Sequence, residues 1–352
     1  MHHKVAYLLE PRLPGGTSSA VAQELRLTSR VSNVTVFGLT SKMFSGESLS
    51  QNLNSTLQEL GIEINWNPKT IVAEVVIIHN PAFLKFERKL PIKILANRVI
   101  VVTHENFQRP GGELSYDVRG TLSLIENATF TRDRILAPIS PQNRKTVTSG
   151  IGNAGLAEAW KVLSEDWFNV CEFTMTEPTH KPKDRRGRLS RPGNEKFPGL
   201  KDLQDCFPDD AEVNIILGAD NLIPYQSSHP HWRLLPFGNM AVSDFFQQID
   251  FMVYFTSPTW RESFGRVIAE AISAGKVVIS DSATSASFDG AVVSATPSSV
   301  SSIISHFIRN PDAYEAQVKN AQSILQQYSG DQFLKMYARV TGNKYRIPNA
   351  SC

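Results

Sequence analysis

The sequence predicts an α/β chain built from two doubly wound, parallel-sheet domains. Three observations carry this expectation. At 352 residues the chain exceeds what one hydrophobic core usually serves. Short continuous apolar runs recur from end to end, as in parallel strands buried on both faces. Tracts with helical spacing separate these runs, and repeated βα units give a doubly wound sheet.

The elements follow in order. Lys4–Leu9 is a short apolar run and Pro11–Gly16 a loop. Thr17–Arg30 has helical spacing at Ala20, Val21, Leu25 and Leu27, with Thr17 or Ser18 as the expected N-cap. Asn33–Thr40 is β-branched and strand-like, and Ser50–Leu60 is helical through Leu53, Leu57 and Leu60. Val72–His79 and Arg98–His104 are buried-strand runs. Residues 176–198 are polar and rich in Pro and Arg, so the boundary between domains is expected at about residues 150–180. Val213–Gly218, Trp232–Pro236, Phe251–Thr256 and Val277–Ile279 then read as strands. Val242–Ile249, Arg266–Ala274 and Ser298–Arg309 read as helices. The tract Pro311–Arg339 is a long helical stretch that either caps the second domain or crosses back to the first. The expected domains are residues 1–170 and 171–340.

Composition excludes several classes. The apolar fraction, 41%, is ordinary for a globular protein, and the net charge of +2 gives no global field to attract nucleic acid or an anionic membrane. Cys171, Cys206 and Cys352 are few, odd in number and not in metal-type spacing, which points to a reducing, cytoplasmic setting. No apolar run reaches the roughly 18–20 residues of a membrane span. The start, Met-His-His-Lys, offers no signal peptide, so the sequons at Asn33, Asn54, Asn127 and Asn349 are expected to be coincidental.

The most informative stretch is RESFGRVIAEAISAGKVVIS, residues 261–280. It follows the strand Phe251–Thr256, so Ser257–Gly265 forms the loop at a strand's carboxyl end, where open α/β sheets bind ligands. Gly265 lets backbone approach a ligand closely. The N–H groups of Phe264, Gly265 and Arg266 can meet an anion at the start of the next helix. Glu270 lies one turn into that helix and Glu262 in the loop. A carboxylate accepts two hydrogen bonds from neighbouring hydroxyls. Two carboxylates flanking an anion-binding helix start suit a ligand with hydroxyls on both sides of a diphosphate, such as a nucleotide sugar. Eight-residue spacing of two glutamates alone occurs in many solvated helices; the strand, loop, helix and strand around it make the pattern specific.

This segment resembles the Glu-x7-Glu signature of retaining glycosyltransferases of GT-B architecture, the family 4-like group. Glu262-Ser-Phe-Gly265, Glu270-Ala271 and Ala274-Gly275 match, while Val277 stands where relatives carry Pro. The resemblance implies two Rossmann-like domains facing across a cleft. It also implies that Glu262 binds donor-sugar hydroxyls, Glu270 binds ribose, and Phe264 and Gly265 contact the donor through backbone. Relatives place a Gly-Arg pair and a Lys on the diphosphate; Gly187-Arg188 and Lys196 match, with Arg191 competing for the Arg role. Without the resemblance the same basic run reads as a solvated linker. Gly15 and Gly16 correspond to a turn near the donor phosphates or acceptor, and lack both the dinucleotide fingerprint and the Walker lysine. The resemblance gives His104 a place at the donor sugar's reacting face and leaves His79 structural. It puts Gly238 and Met240 at the nucleobase, and leaves Asp281 without a matching motif.

The expected activity is transfer of a sugar from a nucleoside diphosphate to an acceptor hydroxyl with retention, without a metal or other cofactor. The acceptor class stays open among glycans, lipid-linked acceptors and proteins; nucleic acid is not expected, and peripheral membrane contact and oligomeric state stay open. A catalytically silent scaffold of the same fold and a nucleotide-binding oxidoreductase are the competing readings. The second lacks the glycine fingerprint.

Overall fold

The computed structural model describes residues 3–343 apart from 14, 45, 47 and 172. Asn349 and Cys352 lie outside the described residues. The chain divides into two compact units, Met1–Val170 with Tyr328–Cys352 and Cys171–Gln327.

The first unit carries the strands β1 (Lys4–Leu9), β2 (Asn33–Gly38), β3 (Ile64–Trp66), β4 (Thr70–His79), β5 (Lys93–Thr103), β6 (Thr129–Phe130), β7 (Asp133–Pro138) and β8 (Lys161–Val162). Their order is β3-β2-β1-β4-β5-β7-β8, with β6 also on β5, and the pairings are parallel. The helices α1 (Gly16–Thr28), α2 (Gln51–Leu60), α3 (Val118–Ala128) and α4 (Pro141–Asn153) belong to this unit. The order reverses between β1 and β4, so the ligand-binding crevice of this sheet is expected beyond the carboxyl ends of β1, β4 and β5.

The second unit holds β9 (Arg185–Leu189), β10 (Val213–Leu217), β11 (Arg233–Leu235), β12 (Phe251–Tyr254), β13 (Val277–Ser280) and β14 (Val293–Ser294), ordered β11-β10-β9-β12-β13-β14 and parallel. Its helices are α5 (Leu200–Cys206), α6 (Val242–Gln247), α7 (Arg266–Ser273), α8 (Ser282–Ala286), α9 (Val300–Arg309) and α10 (Pro311–Leu325). Here the order reverses between β9 and β12. Each sheet packs its own apolar core, with Val76, Ile78 and Val99 central to the first and Ile216, Val253 and Ile279 to the second.

Three expectations are corrected. The first helix begins at Gly16 behind Gly15, which has φ +85°, and no side chain caps it. Ser18 instead donates its hydroxyl to the carbonyl of Leu13, closing the preceding loop. The basic segment 176–198 is not a linker throughout, because Arg185–Leu189 is one of the two middle strands of the second sheet. Its Arg186 is fully buried because Asp184 takes two of its N–H groups at 2.6 and 2.9 Å and the Cys206 carbonyl a third at 2.8 Å. The tract 311–339 is not one helix. A single 3-10 turn at Gln326–Tyr328 ends α10, and α11 (Gly330–Thr341) packs in the first unit. There Phe333 meets Trp167 edge-on at 5.6 Å, and Tyr337 shares a 3.0 Å hydrogen bond with Ser32. The segment between His104 and residue 170, to which spacing assigns no element, contributes α3, β7 and α4. Among the described residues no helix is long and apolar enough to cross a membrane.

Candidate active site

β9 and β12 are neighbours at the switch point of the second sheet, so the loops after them come together. Gly187 makes the approach of the following layer possible. A Cβ there would lie 2.7 Å from the Ile249 side chain and 2.8 Å from Phe245. The adjacent Arg188 is 1% exposed, its guanidinium 4.3 Å from the ring centroid of Tyr254 and 4.7 Å from that of Phe197. One arm donates to the carbonyl of Lys196, while Nε and Nη1 have no hydrogen-bond partner among the described residues. Burial pulls the Arg188 pKa down from its ordinary value, opposed by Tyr254 and Glu262.

That contact sets Lys196 at the end of a 3-10 turn, Asn194–Lys196. Its ammonium donates to Glu262 Oε1 at 2.6 Å, and the Tyr254 hydroxyl donates to the same oxygen at 2.6 Å. The ring of Trp260 lies 4.9 Å from Lys196 Nζ. Burial alone would raise the Glu262 pKa, but the Lys196 charge, the two hydrogen bonds and Arg188 hold it below the ordinary carboxylate range. Burial beside Glu262 pushes the Tyr254 hydroxyl well above its ordinary value, so it stays a donor.

The loop from β12 ends at Gly265, whose φ of +87° and ψ of 54° suit glycine, and α7 starts at Arg266. Phe264 is buried against Phe288 at 5.7 Å, anchoring the backbone at the helix start. One turn on, Arg266 Nε donates to Glu270 Oε1 at 3.0 Å, and the guanidinium sits 5.2 Å from the ring of Phe173. Burial raises the Glu270 pKa despite the Arg266 charge. Glu262 and Glu270 therefore lie on either side of one helix start, each held by a cation of its own.

The remaining candidates are placed as follows. Arg191 is exposed and paired with Glu195 at 3.1 Å, whereas Arg188 is enclosed beside Lys196. Gly238 has φ +78° in the turn after β11, and Met240 accepts from Gln248 Nε2 at 3.3 Å. This turn sits at the edge of the sheet, two strands from β9. Asp281 caps α8 and accepts from Arg261 at 3.0 Å. Gly15, Gly16 and His104 belong to the first unit. There a small cavity beside the start of α1 is lined by Leu9, Glu10, Leu13, Thr17, Ser18 and His79. The Nδ1 of His79 lies 3.0 Å from Nε2 of His104.

Sequence reasoning missed Tyr254, Trp260 and Phe197. Tyr254 reads as one more apolar strand residue, and only its position as the last residue of β12, next to the loop, marks it.

No protein-family model matches the chain, and no curated protein matches it by sequence. Solved structures do match. The HepE protein of Anabaena, in complex with UDP and glucose, aligns with a TM-score of 0.67 at 16% identity, over 97% of this chain and 100% of that one. An alpha-glucosyltransferase in complex with UDP-glucose and DNA containing an abasic site aligns with a TM-score of 0.57 at 10% identity, over 97% and 100%. A trehalose-6-phosphate synthase, from work on glycosyl transfer with retention, gives 0.58 at 10% identity over 97% and 99%. At these identities the likeness establishes the fold. The chain has the GT-B architecture of two parallel-sheet α/β domains.

Proposed function

We propose that this chain is a glycosyltransferase that moves a sugar from a nucleoside-diphosphate sugar to an acceptor hydroxyl with retention of configuration. The observation that carries the reading is the Lys196–Glu262 pair at the switch point of the second sheet, beside the start of α7. A diphosphate there would attract the Lys196 ammonium, and sugar hydroxyls would take the acceptor sites of Glu262. Glu270 would accept from the ribose hydroxyls, with backbone at Phe264 and Gly265, the Arg266 end of the helix and the turn at Gly238 and Met240 completing the donor site. Gly15, Gly16 and His104 would serve the substrates from the first unit. The negative charge that develops on the departing diphosphate would be met by Lys196, Arg188 and the α7 start, so no metal is required. The leaving phosphate would take the acceptor proton.

Thermal-shift measurements with UDP, GDP, ADP and TDP, each with and without a sugar, test the donor. UDP and UDP-glucose come first, since HepE and the alpha-glucosyltransferase bind them. Transfer should persist in the presence of a chelator. Loss of transfer with chelator and recovery with Mg²⁺ or Mn²⁺ would reject the metal-free mechanism. Donor binding without hydrolysis or transfer to any acceptor would favour a silent binding protein of the same fold.

Glu270→Ala should weaken nucleotide binding. A hydrogen bond to a charged group contributes roughly 1.5–3 kcal/mol, so a loss of tenfold or more is expected in calorimetry. Because burial raises the Glu270 pKa, native affinity should fall on acidification earlier than an ordinary glutamate would dictate. Unchanged affinity in the variant would remove Glu270 from the site.

A further inference from the structure

Two donors on Glu262 share one of its oxygens. The Lys196 ammonium and the Tyr254 hydroxyl each meet Oε1 at 2.6 Å. An ionised carboxylate has about two acceptor sites on each oxygen, so Oε1 is filled. No described residue hydrogen-bonds Oε2. The Glu262 side chain keeps 16% of its surface exposed, so a ligand can reach the carboxylate.

The two donors differ in kind. An ammonium on a flexible four-carbon stem is a point charge that can follow either oxygen. Tyr254 cannot follow. It is the last residue of β12, it is buried, and its backbone carbonyl accepts from the Ser280 hydroxyl on β13. Its ring is covered by the Arg188 guanidinium, 4.3 Å from the centroid. Burial and the Glu262 charge hold the Tyr254 hydroxyl well above its ordinary pKa, so it stays protonated and can only donate to a carboxylate. A diphosphate at the α7 start would attract Lys196, and Tyr254 is then the donor left on Oε1.

We propose that Tyr254 is a positioning residue that fixes the orientation of the Glu262 carboxylate, and so the discrimination between nucleotide sugars, by holding Oε1 after Lys196 has turned to the diphosphate. The substrate half of this inference rests on the glycosyl-transfer reading above; the hold on Glu262 does not.

The test is Tyr254→Phe, which removes the hydroxyl and keeps the ring beside Arg188. The kcat/KM for sugar transfer should fall roughly tenfold, the effect of one hydrogen bond to a charged group, with affinity for the free nucleoside diphosphate unchanged. Burial raises the Glu262 pKa, and the groups that face it, Lys196 from the 3-10 turn, Tyr254 from β12 and Arg188 from β9, lower it. Loss of the phenol should therefore move the Glu262 titration upward, and with it the acid limb of kcat/KM. Carbon-13 NMR of the side-chain carboxyl groups in the full chain labelled at glutamate reads that titration, the Glu262 signal being the one absent from Glu262→Gln. If Tyr254 acts through Glu262, adding Tyr254→Phe to Glu262→Ala should lower kcat/KM no further. A Glu262 titration that Tyr254→Phe leaves unmoved overturns the hold. A moved titration with unchanged kcat/KM overturns the role in transfer. Equal weakening of free nucleotide and nucleotide sugar, or a further loss in the double variant, assigns the effect to packing and overturns the proposal as well. If the native protein transfers no sugar, the glycosyl-transfer reading falls, while the carboxyl titration still decides whether Tyr254 holds Glu262.

Discussion

Lys196→Ala is expected to lower turnover at saturating donor by about 10²–10³-fold, the usual effect of removing one electrostatic partner of a developing charge. The reason lies in where the ammonium sits. It is 7% exposed, 2.6 Å from Glu262 and covered by Trp260, so its field acts with little screening by solvent. If it faces the departing diphosphate, its attraction grows as the bond to the sugar breaks, and the loss must appear in kcat. Arg191, exposed and paired with Glu195, is the natural control, and its removal should leave turnover nearly unchanged. Steady-state rates across donor concentration decide the matter. A rise in KM with kcat unchanged would mean that Lys196 only binds the donor.

The second large effect is expected for Glu262→Ala, in stability as well as activity. The variant leaves the enclosed Lys196 ammonium without its anion. Breaking a fully buried pair costs about 3–5 kcal/mol, and this pair, with Glu262 partly open to solvent, should cost somewhat less. The Glu262 pKa is depressed in the folded chain, so its stabilisation is present above the ordinary carboxylate range and is lost as pH falls through the folded value. Urea denaturation of native and variant proteins should therefore show a wide gap at about pH 7 that narrows toward about pH 3. A gap independent of pH would assign the loss to packing instead of charge. In binding, the variant should still take free nucleoside diphosphate but no longer discriminate between nucleotide sugars. Equal weakening for both would give Glu262 a different role.

Much of the candidate site was legible because it is local. Glu262, Phe264, Gly265, Arg266 and Glu270 lie within nine consecutive residues that run from a loop into one helix, so strand–loop–helix order alone brings them to one sheet edge. Lys196 was legible through resemblance, but its contact with Glu262 was not. That contact depends on β9 and β12 being neighbours, and β9 carries no apolar signature. Periodicity finds strands by their greasy side chains, and Arg185-Arg186-Gly187-Arg188-Leu189 hides its burial behind partners distant in the chain.

By itself the sequence determined the alternation of βα units in both halves, because parallel strands buried on both faces must be written as continuous apolar runs. It also determined the motif around the α7 start, because that geometry needs glycine at a positive φ with one carboxylate in the loop before the helix and one a turn into it. Only the tertiary structure decided which arginine is enclosed beside Lys196, and that α11 packs with the first unit. The physical reason is common to both. A charged or polar side chain can be buried only where partners satisfy it, and those partners come from strands and helices that the sheet order, not the sequence order, makes neighbours.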